Sequence, residues 1–216
     1  MKLLCLSDLH DQLAALERIL AEIESPDMVL VAGDLTTFGQ PDDAEPLVRR
    51  LQAIGCPVWA VSGNCDSAAI DRRLAELGVG VHARAVVERG VAVQGLSGIP
   101  PWHRNMYQFT EAQLADALAA GRAQMADARR HVVLSHCPPR DGRLDRTMLL
   151  QHVGSLALRQ YIERVEPDLV VCGHIHEGRG VETMGRTTVV NCGPAAEGYY
   201  AIVELGPPVD VALRGA

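Results

Sequence analysis

Five short apolar runs in this chain are each followed by residues that can bind a metal ion. Runs of this length, rich in Val, Leu and Ile, are typical of buried β-strands. In open α/β sheets, the loops at the carboxyl ends of the strands form the crevice in which ligands bind. The sequence therefore predicts that residues far apart along the chain meet at one site. These residues are Asp8 and His10, Asp34, Asn64 with Cys65 and Asp66, His136, and His174 with His176.

The alternation of apolar runs with amphipathic segments favours an α/β fold. Apolar residues recur at helical spacing from Leu13 to Ile23, directly after the first run. A capping box at Thr110 to Gln113 opens another helix, which we expect to reach about Arg129. Several strands follow Leu169, so we expect at least one mixed sheet in a single domain of residues 1–216. Strands are predicted at 3–6, 28–32, 57–61, 86–87, 91–96, 131–135, 169–172, 180–184, 187–191 and 199–205, and further helices near 47–54, 68–77 and 156–165.

Charge and cysteine content limit the partners of this chain. The net charge of −7 argues against a broad basic surface that grips long nucleic acid or an anionic membrane. No apolar stretch approaches the roughly 20 residues needed to span a bilayer. The six cysteines form no CxxC pair, which fits a reducing compartment. We therefore predict a cytoplasmic protein with a small substrate and without membrane or long nucleic-acid partners; a homo-oligomer is possible.

The candidate ligands are too many for one tetrahedral ion. Residues two apart in an extended segment point to the same side, so Asp8 and His10 are expected to reach one centre, with Leu9 turned into the core. Taken singly, these residues could have purely structural roles. Asp8 could cap a helix, Asn64 could occupy a left-handed turn position, and His136 could be an ordinary core histidine. Their joint occurrence at five strand ends favours two ions, which in such sites lie ~3.5–4 Å apart. Mixed oxygen and imidazole ligands suit Mn²⁺ first, with Fe²⁺, Zn²⁺ or Ni²⁺ also possible.

The five motifs together resemble those of the calcineurin-like metallophosphoesterase superfamily. They read Asp8-Leu9-His10, Gly33-Asp34, Gly63-Asn64-Cys65-Asp66, His136 and Gly173-His174-Ile175-His176, in the order of the family. The resemblance implies a four-layer α/β/β/α sandwich of two mixed sheets. It also implies that Asp8, His10, Asp34 and His176 bind one metal ion, and that Asp34, Asn64, His136 and His174 bind the other. A hydroxide held between the two ions would attack phosphorus in line.

Cys65 departs from the family pattern, which usually has a histidine at this position. The resemblance places the catalytic residues at Asp34, Asn64, Cys65, Asp66 and His136. A thiol cannot carry a positive charge toward the phosphate, and Asp66 then loses the partner that it has in the family. The Gly-Asn-Cys-Asp motif is similar to that of a small bacterial and archaeal branch active on phosphodiesters. We therefore expect a phosphodiesterase more than a phosphomonoesterase.

The sequence leaves open the roles of several further residues and several alternative functions. Trp102, His103, Arg143 and His152 either contact the substrate or serve only their loops, and Glu177 is a reasonable partner for a histidine ligand. The alternatives are a phosphomonoesterase and a non-catalytic metal-binding scaffold with the same fold. A DNA-repair nuclease would need a basic groove, and a lipid-precursor hydrolase would need an apolar lid. The sequence shows neither feature convincingly.

Overall fold

The computed structural model describes residues 1–125 and 128–215, which form eleven strands and five α-helices with two short 3₁₀ turns. The strands are β1 (Lys2–Leu6), β2 (Met28–Ala32), β3 (Val58–Val61), β4 (Ala85–Glu88), β5 (Val91–Leu96), β6 (Arg130–Ser135), β7 (Leu169–Cys172), β8 (Gly180–Met184), β9 (Thr187–Asn191), β10 (Tyr200–Leu205) and β11 (Val209–Arg214). The helices are α1 (Leu13–Glu22), α2 (Pro41–Gln52), α3 (Ala68–Glu76), α4 (Glu111–Arg122) and α5 (Leu156–Val165). The 3₁₀ turns lie at His176–Gly178 and Ala195–Glu197.

The strands form two mixed sheets. The first sheet has the order β11-β10-β1-β2-β3, and the second has the order β4-β5-β6-β7-β9-β8. The centre of each sheet is parallel: β1 with β2 and β2 with β3, and likewise β5 with β6 and β6 with β7. Antiparallel strands complete both edges of the second sheet and the β11 edge of the first, whose other edge is the parallel strand β3. Parallel central strands bring their carboxyl ends, and the loops that follow them, to a common edge.

Three apolar clusters separate four layers. One cluster lies between the first sheet and helices α1 to α3, and it includes Leu4, Leu6 and Leu16. The second lies between the two sheets, where Leu3 and Cys5 of β1 meet residues of β6 and β7. The third lies between the second sheet and helices α4 and α5. Successive residues of β1 thus point alternately into the first and the second cluster, as expected for a strand that is buried on both faces. The predicted four-layer sandwich is confirmed.

Most predicted elements lie close to where the sequence placed them. Helix α2 begins at Pro41 and ends at Gln52, earlier than the helix predicted near 47–54. Two other differences are larger. The capping box at Thr110 is present, but α4 ends at Arg122 and does not reach Arg129; residues 126 and 127 lie outside the described part of the chain. The strand β11 was not predicted, and it pairs with β10 at the edge of the first sheet. The six cysteines are free thiols, as expected. Within the described ranges, no helix combines the length and the apolar character needed to cross a membrane.

Candidate metal centre

The seven predicted metal ligands meet at the carboxyl ends of five strands. Asp8, His10, Asp34 and Asn64 follow strands of the first sheet, whereas His136, His174 and His176 follow β6 and β7 of the second. The site therefore lies where the loops of the two sheets converge. The sequence prediction that these distant residues come together agrees with this arrangement.

Short distances connect these side chains in a continuous chain of contacts. Nε2 of His176 lies 3.5 Å from Oδ1 of Asp8. Oδ2 of Asp34 lies 3.8 Å from Nε2 of His10 and 3.6 Å from Nε2 of His136. Potential ligand atoms of Asp8, His10 and His176 all lie within 4.8 Å of one another, and so do those of Asp8, Asp34 and His136. One Asp34 oxygen therefore lies between imidazoles of both groups, where a bridging ligand belongs.

The backbone at these residues differs from the extended form that the sequence suggested. Asp8, His10, Asp34 and His174 all have positive φ values, of 54°, 46°, 49° and 67°. Left-handed conformations of this kind are unfavourable for residues with a side chain, and they cluster at functional sites. The extended backbone expected at Asp8 and His10 is therefore wrong, but their potential ligand atoms do reach one centre, together with that of His176. Leu9 is buried between them, as predicted, and Ile175 is buried between His174 and His176.

Two glycines let the loops approach each other closely. A Cβ atom at Gly63 would overlap the carboxylate of Asp34. A Cβ atom at Gly173 would overlap Ser7 Oγ and Asp8 Oδ2. Only glycine leaves room for the Asp8 and Asp34 carboxylates at these points.

His136 is held in a tautomer that suits a metal ligand. Its Nδ1 donates a hydrogen bond to the carbonyl of Ala32 at 2.8 Å, because that oxygen can only accept. In the neutral form of the ring, Nε2 carries a lone pair, and it faces Oδ1 of Asn64 at 2.8 Å. In that form two electron pairs point at each other. A cation between them would relieve this repulsion, and a histidine whose second nitrogen donates to a backbone carbonyl is a common ligand arrangement.

Buried charge and unpartnered atoms at the site also fit cations. Asp8 and Asp34 are both buried, and within the described ranges only histidines lie within ion-pair distance of them. Asp8 Oδ1 and His174 Nε2 are buried without a hydrogen-bond partner among the described residues. Such groups are costly to bury unless something pairs with them. Divalent ions would supply the missing partners, so the residues present fit a metal centre.

The pKa values of His174 and Asp8 favour the forms that bind metals, whereas the pKa of Asp34 is shifted the other way. Burial, reinforced by the charge of His136, lowers the pKa of His174 to about 3, so its imidazole is neutral. Burial alone would raise the pKa of Asp8, but the neighbouring imidazoles of His176 and His136 outweigh it and hold that pKa well below the usual range. Burial raises the pKa of Asp34, and a bound cation would offset this effect. A neutral imidazole and an ionised carboxylate are the forms that bind metals.

Asp66 is hydrogen-bonded to the loops that carry Asp34 and Asn64. Its carboxylate accepts hydrogen bonds from the backbone N–H groups of Leu35, Thr36 and Gly63, at 3.2, 3.0 and 2.8 Å, and from the Thr36 hydroxyl. These bonds tie the loop after β2 to the loop after β3. Asp66 is therefore not without a partner, and the geometry makes it a residue that positions Asp34 and Asn64. An acidic residue directly after a ligand loop was the available signal, but sequence does not show which N–H groups converge on it.

Cys65 lies beside both carboxylate and imidazole groups of the site. Its backbone N–H donates to Asp34 Oδ1 at 2.7 Å, and its thiol accepts from the Asn64 amide at 3.3 Å. The thiol sulfur lies within 4.8 Å of ligand atoms of His10 and Asp34. Burial and the nearby Asp34 raise the pKa of the thiol, which is therefore neutral in the metal-free protein.

The structure also places the residues whose roles were open. The ring of Trp102 lies edge-on to that of His174, with centroids 5.6 Å apart, and His103 packs on Trp102. Arg143 donates a hydrogen bond to the carbonyl of Val181, and His152 donates one to the carboxylate of Asp145 at 2.7 Å. Both side chains thus stabilise the conformation of the loop that carries them. Glu177 was expected to support a histidine ligand. Its carboxylate instead accepts from the backbone N–H of Met148 at 2.7 Å.

Comparison with known proteins identifies the family of this chain. A family model for the calcineurin-like phosphoesterase superfamily domain matches residues 1–205. An uncharacterised protein of Methanocaldococcus jannaschii is 27% identical over 205 residues, which cover 93% of this chain and 90% of the relative.

Solved structures share the fold. The crystal structure of protein TT1561 of Thermus thermophilus superposes with a TM-score of 0.79 at 23% identity and covers 99% of this chain and 98% of its own. A dimetal phosphatase from Danio rerio superposes with a TM-score of 0.64 at 12% identity and covers 100% and 96%. The match of the family model over almost the whole sequence decides the assignment: the chain belongs to the calcineurin-like phosphoesterase superfamily.

Proposed function

We propose that this protein is a hydrolase of phosphate esters, with phosphodiesters as its preferred substrates and two divalent ions as its cofactors. The observation that carries the proposal is the convergence of seven candidate ligands, with Asp8 Oδ1 and His174 Nε2 buried and unpartnered among the described residues. Membership of the phosphoesterase superfamily supports the reaction class. The dimetal phosphatase with the same fold supports a pair of ions.

The side chains divide into two sets around Asp34. Asp8, His10 and His176 would hold one ion, and Asn64, His136 and His174 would hold the other. Asp34 faces both sets through Oδ2, while its Oδ1 is fixed by the Cys65 N–H. Bound divalent ions supply Lewis-acid stabilisation of the phosphate charge and a strong nucleophile near neutral pH. The recessed, buried carboxylates keep this chemistry at a fixed position.

Cys65 supports the preference for diesters. A general acid that helps a poor leaving group must lie near the departing oxygen and give up a proton readily. Cys65 occupies the position of the family's histidine, and a buried thiol beside Asp34 gives up its proton with difficulty. Substrates with good leaving groups need this assistance least. Cys65 and Asp34 are thus proposed to favour esters with a stable leaving group, as in aryl diesters.

The test begins with protein stripped of metal. We would assay aryl phosphodiester hydrolysis after adding Mn²⁺, Fe²⁺, Ni²⁺, Zn²⁺ or Mg²⁺ in turn, and measure bound metal in wild type and Asp34→Asn. We expect two ions per wild-type chain, metal-dependent turnover, and a loss of turnover of at least ~100-fold in the variant.

Substitution of Cys65→His is expected to raise the rate on alkyl monoesters relative to aryl diesters, with Cys65→Ser as the matched control.

Each result bears on a different part of the proposal. A clear monoester preference of the wild type would overturn the diester assignment. Two bound ions without turnover on either ester class would favour the metal-binding scaffold, for which the departure at Cys65 is the supporting observation. The choice of Mn²⁺, the cytoplasmic location, the single domain and a homo-oligomeric state stay predictions.

A further inference from the structure

Exposed large apolar side chains concentrate on the loops around the candidate metal centre. Among residues 1–125 and 128–215, three in succession, Met148, Leu149 and Leu150, are 84%, 80% and 66% exposed. Phe38 is 57% exposed and Trp102 is 43% exposed. Single exposed apolar residues are ordinary, but a group on one functional face indicates an interaction surface. We name these five residues the apolar rim.

Contacts with the site fix the position of each part of the apolar rim. The N–H of Phe38 donates to the carbonyl of Cys65 at 2.9 Å. Trp102 lies edge-on to His174, and the N–H of Met148 donates to Glu177, the residue after His176. Three loops that are distant in sequence therefore present apolar side chains beside three parts of one metal centre.

The Met148–Leu150 tip is held in a defined conformation. Asp145 is fully buried at the base of its loop and accepts hydrogen bonds from the N–H groups of Asp141, Gly142 and Gly154 and from His152. At the tip, Leu150 N–H donates to the Thr147 carbonyl at 2.8 Å, and Thr147 N–H donates to the Gln151 carbonyl at 3.0 Å. The loop thus holds three apolar side chains in water on an ordered backbone. Exposed apolar side chains gain free energy when a binding partner removes their surface from water.

Basic residues accompany the apolar rim on a chain whose net charge is −7. Arg104 follows Trp102 by two residues and is exposed, and Arg146 precedes the Met148–Leu150 tip by two residues and is also exposed. Arg140, in the same loop as Arg146, has its charge partly offset by Asp141 at 3.9 Å. Apolar side chains next to isolated arginines match a surface that is apolar inside and anionic at its boundary.

We propose that the apolar rim docks the metal centre on an anionic phospholipid surface, and that the substrates are amphiphilic phosphodiesters held in that surface. This inference rests on the proposed function for its substrate but not for its binding surface. The phosphates of a lipid layer lie at the boundary between hydrocarbon and water, and apolar groups that insert to a shallow depth, about 5–10 Å, reach just below them. Loop tips around recessed ligands would therefore bring the phosphodiester to the site.

A lipid surface fits the geometry better than a second copy of the chain. The tips belong to three separate loops around a recess, and a protein partner seated on them would cover the buried ligands. A fluid surface accommodates separate tips and delivers substrate into the recess. The sequence-based expectation of no membrane partner rested on net charge and on the lack of an apolar stretch long enough to span a bilayer. Neither criterion detects a rim that folding assembles from three short loops.

Vesicle flotation tests the docking surface directly. The probe is a vesicle of phosphatidylcholine with a minor fraction of phosphatidylglycerol, and the protein is the full chain. We expect wild type to float with the vesicles, and the Met148→Ser/Leu149→Ser/Leu150→Ser variant to lose about ten-fold in partitioning, because three inserting side chains are removed. Arg146→Glu should also weaken vesicle binding several-fold.

Val87→Ser is the matched control. Val87 is an exposed apolar residue of β4, near the β4–β5 turn and away from the strand ends that carry the site.

A lack of vesicle binding by wild type would overturn the inference. So would an equal loss of binding in the triple-serine and Val87→Ser variants, or a wild-type dimer that the triple-serine variant converts to monomers in light scattering. The ratio of rates on a micellar and a water-soluble aryl phosphodiester should fall in the triple-serine variant. If vesicle binding holds while neither substrate is hydrolysed with any metal, the proposed function fails and the docking surface stands.

Discussion

Among single residues, Asp66 shows how one buried carboxylate can hold two ligand loops together. It accepts hydrogen bonds from N–H groups of the loop that carries Asp34 and of the loop that carries Asn64. Burial, with the charge of Asp34, raises the pKa of Asp66 to about 7. The backbone N–H groups that point at it would lose their acceptor if the carboxylate were removed. Its importance is therefore structural, and its variants should affect folding and metal affinity together.

We predict that Asp66→Asn destabilises the protein by about 2–4 kcal/mol, because an amide offers one acceptor oxygen where the carboxylate offers two. Metal affinity should fall by about 10–100-fold in the same variant, as the two ligand loops separate. Urea unfolding and metal titration measure the two effects. Asp116→Asn, on the exposed face of α4, is the matched control. Unchanged stability and affinity in Asp66→Asn would contradict the positioning role.

The residues of the site could be predicted from sequence, but their backbone could not. Asp8 and His174 were identified because they follow apolar runs, and strand ends meet in an α/β fold. Their positive φ values depend on contacts made by the folded loops, such as the bond from the N–H of Asp8 to the carbonyl of Gly33 at 3.0 Å. The exposed tip at Met148 to Leu150 looks in sequence like any short apolar segment. Only the fold shows that it faces water beside the site.

At the scale of elements, the second sheet and its helices share a buried polar cluster. His131 of β6 contacts Gln94 of β5, whose oxygen also accepts from Tyr161 of α5 at 2.8 Å. The Gln94 amide donates to the carbonyl of Leu118 in α4 at 2.8 Å. Burial lowers the pKa of His131 to about 4, and the positive charge of Arg122 adds to this effect. The cluster therefore connects four elements, and protonation of His131 would bury a positive charge within it.

This pKa predicts a loss of stability in mild acid. The unfolded state binds a proton at His131 near pH 6.5, and the folded state does so only near pH 4, so stability falls as the pH decreases through that window. The contribution of this single group is at most about 3 kcal/mol. Urea unfolding at several pH values should show a smaller acid loss in His131→Gln than in wild type. Parallel pH profiles for the two proteins would contradict the prediction.

The two elements that sequence reasoning misjudged have physical explanations. Helix-forming residues continue past Arg122, but the N–H groups of Arg129 and Arg130 bond to the carbonyl of Gly90. The chain must leave the helix before that point so that β6 can start beside β5. Tertiary contacts thus override local propensity. The strand β11 alternates apolar and polar residues after Pro207-Pro208, and that signal could have been found in the sequence.

At the scale of the whole molecule, the site depends on close contact between loops of the two sheets. Gly173, after β7, lies against Ser7 and Asp8, after β1. This contact has no room for a Cβ atom. The four-layer arrangement itself was implied by the resemblance, but the tightness of this contact is a property of the packed sandwich.

We predict that Gly173→Ala lowers metal affinity by ~100-fold or more, and stability by about 1–3 kcal/mol, since the new methyl group must displace Asp8. Gly206→Ala is a suitable control, because a Cβ atom there would meet only the Pro208 carbonyl, at 3.5 Å, among the described residues, which is an ordinary contact. Thermal unfolding with and without metal separates the two effects. Equal metal binding in Gly173→Ala and wild type would show that the loops can separate without loss of the site.

The position of β1 between β10 and β2 has a consequence for biosynthesis. On one side β1 pairs with Tyr200–Leu205, a segment made long after β1 itself. The candidate ligands likewise extend from Asp8 to His176. A nascent chain therefore keeps one edge of β1 open, and its metal site incomplete, until these later segments have been made, and contacts this distant in sequence form slowly. Metal loading should therefore follow synthesis of the segment that carries His174 and His176, which would make a bound ion a marker of completed folding.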